Sequence, residues 1–295
     1  MYDIEKLYRA TSVQDAIEHL VVDKSAVIIA GGSDVLIKIH HGKLSGCSLV
    51  SIYGLDELRG ITLQDDGSIK IGPLTSFSHI TKDPIIQKFI PVLGEAVDQI
   101  GGPQIRNIGT IGGNISNGVT SADSASTLFA LNAKLEITGP IGKRVIPISE
   151  YYVGVAKVCL EIGELLTAIY ITKENYEDYA GHYIKYAMRN AMDIATLGCS
   201  VTCKLNAKKD TMEDVHIAFG VASPTPMRCP KAEEAIKGMK ISEEMLNTFG
   251  LLAKAEVTPR SSWRASKEFR LQLVEELSKR ALKESIIKSG GVING

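Results

Sequence analysis

The stretch IRNIGTIGGNISNGVTSADSASTLFAL, residues 105–131, organises the reading of this 295-residue chain. Gly109, Gly112, Gly113 and Gly118 alternate there with Asn107, Asn114, Ser116, Asn117, Thr120, Ser121 and Asp123, and apolar runs flank the whole. A glycine pair presents no Cβ, so the backbone comes close to a ligand. N–H groups freed by such turns form concavities that hold phosphate oxygens. Asp123 stands before the apolar run 125–131, where a carboxylate can cap a helix or accept hydrogen bonds from a ribose.

A second stretch matches it. Val27-Ile28-Ile29-Ala30-Gly31-Gly32-Ser33-Asp34-Val35-Leu36 runs from β-branched residues into Gly-Gly, then two capping residues, then apolar residues again. That is the pattern of a buried strand ending in a tight turn. Neither stretch is the dinucleotide fingerprint G-x-G-x-x-G or the P-loop. One such turn alone reads equally well as a plain chain reversal. Two of them, each after an apolar run and each followed by capping residues, point to one ligand with two phosphates.

Length suggests about two domains. Hydrophobic residues make up 44% of the chain and charged residues 23%, a globular balance with enough apolar mass for a core in each half. A net charge of −1 argues against a nucleic-acid surface and against electrostatic membrane binding. No run approaches the ~20 apolar residues that cross a bilayer. The start MYDIEKLYRA lacks the apolar core of a signal peptide, so the expected location is cytoplasmic. Five scattered cysteines without a C-x-x-C spacing suggest neither a disulfide framework nor an iron–sulfur site on this chain. Cys199 and Cys203 read as small core residues. His40 and His41 read as an exposed polar pair, since no acidic partner has ligand-like spacing. No metal site and no Ser-His-Asp or Cys-His set is expected.

Thr11 to Gln14 opens a helix with a capping-box pattern, continued by Val13, Ala16, Ile17 and Leu20 at helical spacing. Strands are expected at 26–30, 48–52, 68–72, 134–138, 143–148 and 164–171, with turns at 65–67 and 139–142. A short helix starts within 75–81, and one helix lies within 84–100. The charged, aromatic, unpatterned segment 173–181 marks a boundary between domains 1–176 and 182–290. Strands at 182–187, 195–205 and 215–221 follow. A helix is capped by Ser242. A last helix runs from about 262 to 288, ends at Gly290-Gly291 and starts with Trp263, the one tryptophan. Pattern alone gives an α+β protein.

IIAGGSDVLIKIHHGK (28–43) and GGPQIRNIGTIGGNISNGVTSADSAS (101–126) together resemble the FAD-binding medium subunits of molybdenum hydroxylases, above all those of the bacterial xanthine dehydrogenase type. The likeness continues through KYAMRNAMDIATLGCS (185–200), FGVASPTPMRCPKAE (219–233) and TPRSSWRASKEFRLQLVEEL (258–277), and so covers almost the whole chain. It implies a two-part FAD-binding domain of the vanillyl-alcohol-oxidase (PCMH) type, then a small CO dehydrogenase flavoprotein C-terminal domain. It implies that Ile28, Ile29, Ala30, Gly31, Gly32, Ser33, Asp34 and Val35 wrap the FAD diphosphate, with Thr110, Ile111, Gly112, Gly113 and Asn114 reaching it from the other side. Asn114 and Asp123 match cofactor-bonding positions, Leu165 one against the adenine, and Lys185 one near the flavin edge; for Asp123 and Lys185 a helix cap and a solvated lysine are the plain alternatives. Ser33 stands where some of the wider superfamily carry a flavin-linked His, so the FAD is expected to be noncovalent. Residues 186–196 match a loop beside the flavin. Its Arg189 and Asp193 read either as gate residues for NAD or as a surface salt bridge. No other catalytic group is expected, because the chemistry is the cofactor's. The implied partners are a molybdopterin-binding large subunit and a small [2Fe-2S] subunit, and the implied function is passing their electrons to NAD⁺ during purine hydroxylation. A related hydroxylase acting on nicotinate, another purine or CO, and a stand-alone flavin reductase, remain alternatives. Trp263 could anchor a partner interface or cap the C-terminal core.

Overall fold

A computed structural model describes residues 2–293. Strand β1 (Ile4–Arg9), helix α1 (Val13–Val22), strand β2 (Val27–Ile29), helix α2 (Val35–His40) and strand β3 (Cys47–Ser51) build a parallel sheet of order β1-β3-β2. Parallel neighbours need crossovers, which α1 and α2 supply. The α1 cap sits one residue later than the sequence pattern suggests. Ser12 Oγ accepts from Asp15 N, and Asp15 accepts in return from Thr11 N.

Strands β4 (Ile61–Leu63) and β5 (Ile69–Ile71) lead into a run of short helices: α3 (Phe77–Lys82), α4 (Pro84–Phe89), α5 (Pro91–Asp98), α6 (Pro103–Ile108), α7 (Ile111–Ser116) and α8 (Asp123–Ala130). The single helix expected within 84–100 is two, because Pro91 removes a donor and restarts the helix at its own first turn. The chain returns through β6 (Lys134–Gly139), β7 (Gly142–Pro147), the ribbon β8 (Tyr152–Gly154) and β9 (Lys157–Val158), and β10 (Leu165–Ile171). A five-stranded sheet of order β4-β5-β10-β6-β7 results. β10 is buried at six of its seven positions, as a central strand should be.

The last unit is the antiparallel sheet β11 (Tyr179–Tyr186), β12 (Leu197–Leu205), β13 (Met212–Gly220), β14 (Met227–Arg228), followed by α9 (Pro230–Ile236), α10 (Glu243–Glu256) and α11 (Lys267–Lys288). Its first strand begins at Tyr179, inside the segment read as unpatterned. α10 carries the expected cap, Ser242 Oγ accepting from Met245 N. α11 starts at Lys267, capped by Ser266. Trp263 therefore lies in the loop ahead of it and is 77% exposed, with the Arg264 guanidinium 4.2 Å over its ring. It caps no core, because the loop turns it to solvent. Cys199 and Cys203 sit fully buried on β12, and His40 and His41 are exposed at the end of α2.

Helix α8 is buried at every position from Asp123 to Ala130. It packs on β12 and β13 on one side and on α5 and α7 on the other. Its last carbonyl, Ala130 O, accepts from His216 Nδ1 at 2.9 Å and lies 3.4 Å from the Thr202 hydroxyl, so the C-terminal sheet satisfies acceptors that a helix end leaves open. α8 thus joins the two units.

Candidate functional site

The two Gly-Gly stretches meet backbone to backbone. A Cβ on Gly31 would lie 1.9 Å from the carbonyl oxygen of Ile108. The turn after β2 therefore rests flush on the segment that leads into α7, and only glycine permits that approach. Between them opens a cavity of about 350 Å³. Ile28, Ala30, Gly31, Gly32, Ser33, Asp34 and Val35 line it from one side, Thr110, Gly112, Gly113 and Asn114 from another, and Leu165 with Leu160 and Ile52 makes an apolar wall.

The polar equipment of the two sides differs. Gly32 has φ +77°, and the chain then turns directly into α2. The backbone N–H groups of Gly32, Ser33, Asp34 and Val35 find no protein acceptor among the described residues, and Asp34 makes no side-chain cap. Unpaired donors beside a cavity at a helix start form an anion-binding nest. On the other side the stretch read as a turn is the first turn of α7. Ile111 N donates to Thr75 O at 3.1 Å, Gly112 N to Pro73 O at 2.8 Å, Gly113 N to Thr110 Oγ1 at 3.2 Å and Asn114 N to Thr110 O at 2.9 Å. None of the N–H groups from Ile111 to Asn114 remains for a phosphate. Gly112 is required for a different reason: its Cβ would meet Pro73 Cβ at 2.4 Å and Pro73 O at 2.8 Å. That side instead offers side chains. Asn114 Oδ1 accepts from Ser124 Oγ at 2.6 Å, which leaves the amide nitrogen of Asn114 without a partner among the described residues. Asn117 Oδ1 accepts from Lys38 Nζ at 2.7 Å, and both residues line the cavity.

Not every expected residue reaches this cavity. Ile29 sits in β2, where its carbonyl accepts from Ile52 N. Ile111 is fully buried in the core. Asp123 does not cap α8; it is the first helical residue, and its carboxylate accepts from Tyr183 OH at 2.7 Å and from Lys185 Nζ at 2.8 Å. Lys185 is no solvated strand lysine: its side chain is 8% exposed and its ammonium also donates to Gln99 O. Burial pushes the Asp123 carboxyl above its ordinary pKa, and the Lys185 ammonium and Tyr183 hydroxyl counter this in part. Burial also raises the Tyr183 phenol, and the Asp123 charge adds to it.

Lys185 lines a second, polar cavity of about 200 Å³ with Gln99, Arg189, Met192 and Asp193. Asp193 accepts from Arg189 N at 3.0 Å and lies 3.5 Å from the Arg189 guanidinium, so the pair folds the loop upon itself. Met192, at φ 52°, donates its N–H to Gly101 O and packs on Gly102. The segment from Gln99 into the start of α6 thus stands between the two cavities, with Gln99 lining one and Ile100 and Ile105 the other. Sequence reading missed Lys38, Asn117, Tyr183 and Gln99. Lys38 carried one signal, its place four residues after Asp34 on the same helical face; Gln99 carried none, since only its carbonyl acts.

The fit to an anionic dinucleotide rests on those orphaned donors. A nest of four N–H groups, an apolar wall and an amide side chain suit a diphosphate, an adenine and a ribose respectively. Among the described residues no helix is long and apolar enough to cross a membrane.

Comparison with known proteins agrees. The family described as the FAD binding domain in molybdopterin dehydrogenase matches residues 2–174, and the CO dehydrogenase flavoprotein C-terminal domain matches residues 182–285. The xanthine dehydrogenase FAD-binding subunit of Escherichia coli O157:H7 is 43% identical over 291 residues, 99% of each chain. The glyceraldehyde dehydrogenase medium chain of Sulfolobus acidocaldarius is 30% identical over 96% of this chain and 99% of its own. A carbon monoxide dehydrogenase chain from Hydrogenophaga pseudoflava superposes with a TM-score of 0.91 at 27% identity, over 97% of this chain and 98% of that one.

Proposed function

We propose the following from one premise: the chain belongs to the family of FAD-binding subunits of molybdenum hydroxylases, oxidoreductase subunits of the xanthine dehydrogenase type. In this chain the N–H groups of Gly32 to Val35 would hold the diphosphate of a noncovalently bound FAD, the wall that includes Leu165 would take the adenine, and Lys185 would stand near the flavin. When bound, FAD supplies one-electron acceptance and hydride donation in a single group. The protein's part is to hold and orient it. The Lys185–Asp123 pair fixes a buried charge distribution beside the second cavity, and the loop with Arg189, Met192 and Asp193 closes over that cavity and sets who approaches it.

The proposed role is the xanthine dehydrogenase relay: electrons arrive from a small [2Fe-2S] subunit, after a molybdopterin-binding large subunit has hydroxylated a purine, and leave as hydride to NAD⁺. The whole-chain likeness to a xanthine dehydrogenase FAD-binding subunit supports the substrate class. The single observation that carries the reading is the run of N–H donors, unpaired among the described residues, on residues that line the larger cavity. Loading the purified chain with FAD and desalting it tests this: one flavin per chain is expected to remain, and a colourless protein would end the reading. Reduction of the bound flavin by NADH would support the acceptor, and bleaching by xanthine in the assembled complex would support the substrate. The likeness to the glyceraldehyde dehydrogenase medium chain makes an aldehyde the competing substrate.

A further inference from the structure

Lys38 is the only cation among the residues lining the larger cavity, and Asp34 the only anion, so the described lining is neutral as a whole. A dinucleotide diphosphate brings two negative charges. The nest at Gly32 to Val35 offers dipoles but no countercharge, and partly buried anions need more than dipoles. Lys38 lies one turn along α2 from that nest, on the face shared with Asp34, about 5–6 Å away by helical spacing. Its ammonium has three donors, and Asn117 Oδ1 takes one. Asn117 is neutral, and Lys38 forms no ion pair among the described residues. Asn117 is itself fixed. It ends α7, and Gly118 beside it has φ +72°, with its α-carbon packed so close to the backbone of Ala156 and Lys157 that a Cβ would stand 2.7 Å from each. The tether therefore spans the cavity from α2 to the end of α7 and holds an unneutralised charge over it.

We propose that Lys38, positioned by Asn117, is a diphosphate-binding residue: its ammonium contacts the phosphate oxygens across from the Gly32–Val35 N–H groups and supplies the countercharge they lack. This rests on the reading of the cavity as a FAD site and deepens it. A charged contact of this kind strengthens binding by about 10- to 100-fold.

The test is a titration of the full-length chain, freed of flavin, with FAD, ADP and adenosine. Lys38→Met is expected to weaken FAD and ADP by about 10- to 100-fold alike while leaving adenosine unchanged. Lys38→Arg is expected to keep most of the affinity. Asn117→Ala, which removes only the tether, is expected to cost a few-fold. In the unmodified chain FAD affinity should fall with ionic strength and adenosine affinity should not, a measurement that needs no variant to fold. Unchanged FAD affinity in Lys38→Met, or an equal loss for adenosine, overturns the proposal and leaves Lys38 a structural tether. Should the unmodified chain bind neither FAD nor ADP, the cavity reading fails and takes this inference with it. Melting curves of the ligand-free variants separate lost contacts from lost fold.

Discussion

The two Gly-Gly pairs look alike as sequence and do opposite things in the fold. At Gly31-Gly32 the chain leaves a strand and presents a run of N–H groups without acceptors among the described residues. At Gly112-Gly113 the chain enters a helix, and each N–H from Ile111 to Asn114 already has an acceptor. The first pair makes a ligand surface. The second makes the scaffold that brings Asn114 and Asn117 to it. Both contain one glycine whose absent Cβ serves backbone packing: Gly31 against Ile108, Gly112 against Pro73. A glycine pair thus reports close approach, but the approaching partner is as readily the protein's own backbone as a phosphate.

Substitutions put that contrast to the test. Gly31→Ala should have the largest effect, because the new Cβ collides with a carbonyl oxygen at 1.9 Å that no rotamer change relieves. A loss on the order of 3 kcal/mol or more is expected, seen as insoluble or unfolded protein. Gly112→Ala should cost about 2–3 kcal/mol through Pro73, lowering the melting temperature of the ligand-free chain; flavin loss there would follow the fold. A normal melting curve with flavin lost would instead restore Gly112 to the ligand surface. Gly32→Ala is the converse case. Its left-handed backbone costs an alanine about 1–2 kcal/mol, and its Cβ would find only side chains at 3.3 Å or beyond. FAD affinity should therefore fall by more than the stability loss accounts for, as read by comparing titration with melting.

The smallest effect lies outside both stretches. Arg144 forks onto Glu164 at 2.9 and 2.7 Å, and this holds the Glu164 carboxyl below its ordinary range. With the folded value below the unfolded one, the pair contributes stability above the unfolded value of about 4.5, and that contribution is lost as pH falls through the folded value. Glu164→Gln should flatten the acid side of the melting-temperature profile and leave flavin affinity at neutral pH unchanged. A shift in affinity would tie the wall at Leu165 to the ligand more tightly than the geometry suggests.

What the residues alone disclosed follows the same division. Strands β2, β3, β6, β7 and β10 were legible because β-branched runs bounded by turn residues admit little else. The α+β architecture and the first Gly-Gly turn followed from them. Helices α6 and α7 were not legible: glycine and asparagine are poor helix formers, and α7 exists because Thr110 caps it and Pro73 and Thr75 accept its N–H groups. Helix α9 was missed too, although Pro230 at its first turn is a known start signal. At the site, the residues that touch the cavity through backbone were within reach of pattern. The Lys185–Asp123 pair was not, for it joins positions 62 apart that only tertiary folding brings together, and its burial is what turns a commonplace lysine into a fixed charge.

Helix α8 has a consequence for what could be cut away. Wrapped on every side, it lends Asp123 to Lys185 and Ala130 to His216, both across the seam. A shortened chain stopping near residue 176 would leave that helix bare and its carboxylate stranded, so it should clump rather than survive as an independent flavin carrier. The C-terminal sheet is less an appendix than the other half of a vise, and the full-length chain should melt in a single step.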